Sequence, residues 1–458
     1  MENYELLPTE DHFMSALWED VLNRNKDIVY FYELLLAQNC AGTIAIDGRW
    51  GSGKTFFVNQ SIMAINALNS MADMDEEKRA RILCKIPFTK KKEEIQNSIL
   101  TVYYDAWKND NDIDPVISLV YEMTKQLSLT YNLTNKNIFK ISAAIIDAFT
   151  GRGISGILDS LKSDDPLAKF KEQKNIEEKI KEFFSEILIE RAERLVIFID
   201  ELDRCKPTFA VKLLEQIKHY LDDDRITFVF SVNIAELQHT IRHYYGDEFD
   251  ACRYLDRFFT LRVSMPPADK NKFYNKMGLD SSYWVDIVIR RIIAMYHFEL
   301  RDTTRFYRQV KTAVYSATHE GNRERYDFSF HDGNGKKLIL LCIVPLIIGL
   351  KIADITLHDE FINGKNSQPL KDLFDSEKMN DYVLESMLAK DESLEMEDGK
   401  ITVSKDDIIE RFYNAVFINK YEGAKYRECL GEYEFSASSR SLALSAAGMM
   451  TGYADFSI

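Results

Sequence analysis

Short apolar runs alternate along the first part of the chain with segments whose apolar residues recur every three or four positions. This is the pattern of buried strands separated by amphipathic helices. The runs that read as strands are Thr43–Ile46, Arg81–Ile86, Ile99–Tyr104, Leu195–Ile199, Ile226–Val232 and Phe258–Val263. Leu195–Ile199 is continuously apolar with charge at both ends, as expected of a strand buried on both faces of a parallel sheet. Helices are expected over residues 9–38, where Phe13, Leu17, Val21, Ile28 and Phe31 keep helical spacing, and over Phe56–Leu68, Val116–Leu127, 164–192 and Phe209–Leu221, with another starting near Ala235. The small-residue stretch Ile138–Ser163 reads as neither strand nor firm helix. Beyond the double proline Pro266–Pro267 the pattern is almost all helical, with Trp284–Tyr296, Leu300–Val314 and Asp406–Asn419 the clearest segments. Asp354–Asn380 reads as a polar loop, Lys390–Lys400 as an acidic segment, and the tail Ser436–Ile458 as frayed or docked on a partner.

The first apolar run leads into Gly48-Arg49-Trp50-Gly51-Ser52-Gly53-Lys54-Thr55 and then, from Phe56, into a helical segment. Strand, glycine-rich loop and helix in that order make a phosphate-binding P-loop. The glycines let consecutive N–H groups turn toward phosphate oxygens, and the helix adds its positive N-terminal end. Lys54 would reach the β- and γ-phosphates, and Thr55 would place its hydroxyl on a magnesium ion bridging them. The fourth strand carries a second motif, LVIFIDELDRCKP. Ligands of open α/β sheets bind at the C-terminal strand ends, so Asp200 falls beside the P-loop and is suited to the metal. Glu201 is suited to act as general base toward an attacking water. Asp203 has two readings, a part in the site or an N-cap for the following helix. Asn233, ending the next strand, either orients the water beside the γ-phosphate or starts an Asn-led turn.

The fold class follows: an α/β P-loop NTPase core, a three-layer sandwich with a parallel central sheet, then an α-helical C-terminal region. The expected boundaries are residues 1–267 for the core, with a helical insertion at about 106–192, a lid-like helical subdomain at 268–330, and the C-terminal region at 331–458. The helices before the P-loop would either wall the base pocket or simply pack.

Charge changes the picture only by exclusion. A net charge of −15 argues against broad nonspecific DNA binding, and leaves room for nucleic acid without implying it. The densest basic cluster, Lys90–Lys92, reads as a solvated turn ahead of a phosphate site. Six scattered cysteines show neither a zinc pattern nor a disulfide framework. The opening MENYELLPTEDHF is acidic and polar, unlike a signal peptide, so a cytoplasmic location is expected. Leu338–Leu350 is strongly apolar but shorter than the roughly 20 residues of a membrane span, which favours a buried helix over a membrane-dipping hairpin.

Taken in order, GRWGSGKT, YYDAWKNDNDIDP, IDELDRCKP, VNIAEL, YLDRFFTLRVSMPP and LRDTTRFYRQV resemble the KAP family of P-loop NTPases, over roughly residues 10–315. Trp50, the Asp105–Trp107 stretch and Asp200–Arg204 are the distinctive marks. The family is similar to the STAND and AAA+ branches of the additional-strand, catalytic-glutamate class. Glu201 stands where the family more often has aspartate, and Asn233 where aspartate is frequent. Many relatives carry transmembrane helices between the two motifs, but Ile138–Ser163 is too polar and broken to span.

The resemblance implies ATP and Mg²⁺ as ligands, with ATP hydrolysis driving a conformational switch. It implies an arginine finger at Arg257, a lid arginine at Arg301, protein partners at the C-terminal helices, room for a homo-oligomer, and a setting in bacterial defence against phage. An ATP-gated scaffold with negligible turnover, or a nucleic-acid-sensing or translocating ATPase, are the rival expectations.

Overall fold

The computed structural model describes residues 7–38, 42–86, 88, 99–112, 114–131, 136–150, 178–188, 193–218, 223–279, 284–318, 335–375, 396–397, 400–401, 404–421, 427–431 and 433–448. It divides into two compact units, Leu6–Phe273 and Tyr274–Ile458.

The first unit is built on five parallel strands, β1 (Gly42–Asp47), β2 (Ile99–Asp105), β3 (Arg194–Asp200), β4 (Ile226–Val232) and β5 (Leu261–Ser264). Their order across the sheet is β2-β3-β4-β1-β5, so β4 lies between the P-loop strand and the Asp200 strand. Strand parity then sorts side chains to two faces. Ile44, Ile46, Val196, Phe198 and Val229 face a core shared with the helices Glu10–Glu19, Asn25–Ala37 and Lys54–Leu68. Leu100, Val102, Leu195, Ile197, Ile199, Phe228 and Phe230 face the helices Pro115–Tyr131, Lys136–Thr150, Pro207–Ile217 and Ile234–Tyr245 on the other side. β4 is buried at every position and β3 at all but Arg194. A strand with apolar neighbours on both faces has no polar side to alternate, which is why the sequence runs apolar there.

Several expected elements differ. Arg81–Lys85 lies in a helix, Glu76–Lys85, with Ile86 as its C-cap; its N-cap Asp75 accepts from the Lys78 N–H and its first turn carries Glu76 and Glu77. Only Ile82 of that helix is buried, so its apolar residues make a thin stripe that imitates a short strand. Ile138–Thr150 belongs to the helix Lys136–Thr150, in which Ile138 and Ile145 are buried with Ile141 packed beside them. The remainder of Ile138–Ser163, from 151 to 163, lies outside the described residues, as do Lys90–Lys92 and, of the helix expected over 164–192, residues 164–177 and 189–192. β5 begins at Leu261, because Phe258 ends the helix Ala251–Phe258 and both Phe258 and Phe259 pack edge-on against Phe230.

In the second unit, Leu338–Leu350 is buried within one continuous helical stretch from Gly335 to Ala353. Its middle, Ile339–Ile343, widens to a π-turn in which the Val344 N–H donates to Ile339 O. That widening stands directly before Pro345, which has no N–H to offer the helix. No helix among the described residues is long and apolar enough to cross a membrane. Within Asp354–Asn380, expected as loop, the chain forms the helices Ile355–Ile362, capped by Asp354, and Gln368–Phe374; residues 376–380 lie outside the described ones. The expected tail includes a further helix, Ser438–Gly448, with Leu442, Ala443 and Ala446 buried. Two short antiparallel pairs, Met396–Glu397 with Lys400–Ile401 and Arg427–Leu430 with Tyr433–Ser436, interrupt the helices.

Phe198 is fully buried in the centre of β3 and touches Phe31 from the helical layer above it. Phe198→Ala is expected to destabilise the first unit by about 3–5 kcal/mol, read as a lowered urea midpoint.

Candidate nucleoside triphosphate site

The polar ends of the strands converge because the parallel register brings them level. Asp105 pairs with Asp200, Asp200 with Ser231, and Asp47 with Val232. The turn after Asp47 is the glycine-rich loop. Gly51 and Gly53 have φ of 81° and 90°, the left-handed region that glycine enters without strain. At Gly48 a Cβ would lie 2.9 Å from both Met265 Cβ and Ser52 Oγ, so no side chain fits between loop and β5. Arg24, buried, holds the loop from the N-terminal side, donating from Nη1 to Ser52 O at 2.9 Å and from Nη2 to Pro266 O at 2.6 Å.

Gly53 is the N-cap of the helix Lys54–Leu68, so the N–H groups of Lys54, Thr55 and Phe56 stand in its first turn, where helices have no internal acceptor. Lys54 is buried, and Nζ donates to Gly48 O and to Arg49 O, carbonyls of the loop that it would leave for a phosphate. Burial holds its pKa below the ordinary lysine value against the charges of Asp203 and Asp200. Ser52 Oγ is buried with no hydrogen-bond partner among the described residues. An orphaned hydroxyl and open N–H groups around one turn suit an anion with several acceptor oxygens. Phe56 turns its ring to Phe13, 4.9 Å between centroids, which leaves its backbone N–H as its share of the site. Arg49 is exposed.

Asp200 is fully buried on the face of the sheet that carries Val196 and Phe198, the face of the P-loop helix. Burial raises its pKa, and the hydroxyls of Ser231, Thr55 and Tyr103 and the charge of Lys54 oppose that effect. Tyr103 OH donates to Asp200 Oδ2 at 3.1 Å. Ser231 lies close as well, although its Oγ makes no hydrogen bond of ordinary geometry. A carboxylate so placed gains most from a nearby cation. The Thr55 hydroxyl and the Asp200 carboxylate stand together as hard oxygen donors, a pair that fits Mg²⁺, which takes phosphate oxygens and water for its remaining ligands.

Glu201 follows with φ 59° and ψ 27°, a left-handed conformation that costs a residue with a side chain about 1–3 kcal/mol. Its N–H donates to Ser231 O at 3.2 Å and to Asp200 Oδ1 at 3.0 Å, and its Oε2 pairs with Arg204 Nη1 at 3.1 Å. Asp203 is no helix cap: Lys206 occupies the N-cap of Pro207–Ile217, and Asp203 Oδ2 accepts from Trp50 Nε1. Asn233 is the N-cap of Ile234–Tyr245 and its side chain makes no capping bond; the N–H of Ile234, the first helical residue, donates to Asp47 Oδ1 at 2.9 Å. Arg257 is exposed in the last turn of its helix, and Arg301 is exposed in the first turn of Leu300–Thr318 in the second unit.

Sequence reasoning did not assign Tyr103, Ser231, Arg24 or the tie from Asp47 to Ile234. Tyr103 and Ser231 share the parity of Asp200 across paired strands, a signal that exists only once the strand order is known.

A P-loop on β1, a buried aspartate on a strand once removed and a glutamate beside it define an NTP-binding domain of the additional-strand type. Residues 28–287 match the model of the KAP family P-loop domain, and the chain belongs to that family. No curated protein matches the chain. Membership implies binding of a nucleoside triphosphate and suggests NTPase activity.

In Lys54→Ala, affinity for ATP with Mg²⁺ should fall about 10- to 100-fold by titration calorimetry. Thr55→Ala should keep the affinity measured without Mg²⁺ and lose the gain that Mg²⁺ gives.

Proposed function

We propose that the protein hydrolyses ATP and uses the cycle as a conformational switch. The observation that carries this reading is Glu201, held by a left-handed backbone and an ion pair immediately after the buried Asp200. Lys54 and the loop N–H groups bind the phosphates, with Thr55 and Asp200 as the magnesium donors. When bound, the metal neutralises charge on the phosphate oxygens. Glu201 accepts a proton from water, whose oxygen bonds to the γ-phosphorus while the bond to the ADP oxygen breaks. The Asn233 amide, free of capping duty, orients that water.

Arg257, exposed on its helix, is suited to act as a finger across a contact between copies of the chain, and Arg301 as the lid arginine. The helical second unit reads the switch or holds a protein partner, and bacterial defence against phage is the setting that the family suggests. Phosphate release from ATP tests the enzyme reading: wild type should turn over, while Glu201→Gln should bind ATP with unchanged affinity and lose about 10²- to 10⁴-fold in rate. Equal rates in wild type, Lys54→Ala and Glu201→Gln would overturn it.

A further inference from the structure

Two tryptophans of the first unit stand half-exposed beside the same arginine. The Arg204 Cζ lies 5.7 Å from the centroid of the Trp50 ring and 5.4 Å from that of Trp107. Trp50 is 44% exposed and Trp107 51%, so neither ring is explained by burial in a core. Each comes from a different segment: Trp50 from the phosphate loop itself, Trp107 from the turn just beyond the end of β2 at Asp105. Arg204, mostly buried, carries the ion pair to Glu201, and the neighbouring Asp203 accepts the Trp50 indole N–H. The phosphate loop is thus joined to the candidate base by two routes, an indole hydrogen bond and a ring–guanidinium contact.

We propose that Arg204 is a positioning residue that aims the Glu201 carboxylate, that Trp50 and Trp107 hold its guanidinium in place, and that Trp50 links this arrangement to phosphate in the loop. The proposal rests on Glu201 being the base of the hydrolysis reading above. A guanidinium can stack on aromatic rings while it donates in its own plane, and a lysine ammonium offers no such plane. Trp107 lies outside the phosphate loop, so its effect on turnover is separable from any effect on binding.

Steady-state kinetics on Trp107→Ala, Trp107→Phe and Arg204→Lys, with nucleotide affinity measured alongside, test it. Trp107→Ala should lose about tenfold in kcat, a fraction of what general base catalysis contributes, with Kd for ATP within about twofold of wild type. Trp107→Phe, which keeps a ring face, should recover most of that loss, and Arg204→Lys should stay low. Wild-type kcat in Trp107→Ala, or a loss shared equally by Kd, overturns the proposal.

Tryptophan emission supplies an arm independent of turnover. A nonhydrolysable ATP analogue with Mg²⁺ should change the emission of the wild type, and Arg204→Ala should remove that change while still binding the analogue. An unchanged emission response in Arg204→Ala overturns the link whether or not the wild type hydrolyses ATP. Absent turnover in the wild type with the emission arm intact would instead count against the hydrolysis reading alone.

Discussion

The parallel register of β3 and β4 is the constraint on which the site depends. Asp200 is fully buried, a position that costs an ionised carboxylate its hydration. It is tolerable because Ser231, level with it on β4, Tyr103 on β2 and Thr55 on the P-loop helix all bring hydroxyls to the same face. A slip of one residue in either strand would turn these groups to the opposite core, among Ile197, Phe228 and Phe230. The apolar contacts on the two faces therefore fix the chemistry as well as the fold.

The loop is constrained from three sides in the same manner. Arg24 anchors it to the N-terminal helices and to Pro266 just after β5, Met265 beside it leaves no room for a side chain at Gly48, and Trp50 is tied to Asp203 beyond β3. Such ties pre-organise backbone N–H groups that would otherwise have to be ordered by the ligand. They also give the loop a mechanical connection to Glu201, because Asp203 and Arg204 share one turn of 3-10 helix with it at the N-cap.

Most of the strand positions in this sheet were legible in the sequence, since β1 to β4 are short apolar runs edged by charge or turn residues. That Lys54, Thr55 and Asp200 come together was legible, because the pattern of a P-loop and a second acidic strand end places those residue types at the C-terminal strand ends. What escaped was set by tertiary contact. The stripe around Ile82 imitates a strand until Asp75 is seen to cap a helix. Phe258 and Phe259 look like the start of β5, but their rings are spent on Phe230. The roles of Tyr103 and Arg204 depend on residues 97 and 154 positions away, Asp200 and Trp50, and no local pattern carries that information.

The central claim is that these converging groups form one site for ATP and its hydrolysis. It is tested most directly by incubating wild type and Glu201→Gln with ATP and Mg²⁺, passing each through a desalting column, and identifying the retained nucleotide. The account predicts ADP or empty protein for the wild type and stoichiometric intact ATP on Glu201→Gln. Retained ADP on both proteins, or no nucleotide on Glu201→Gln, would contradict it.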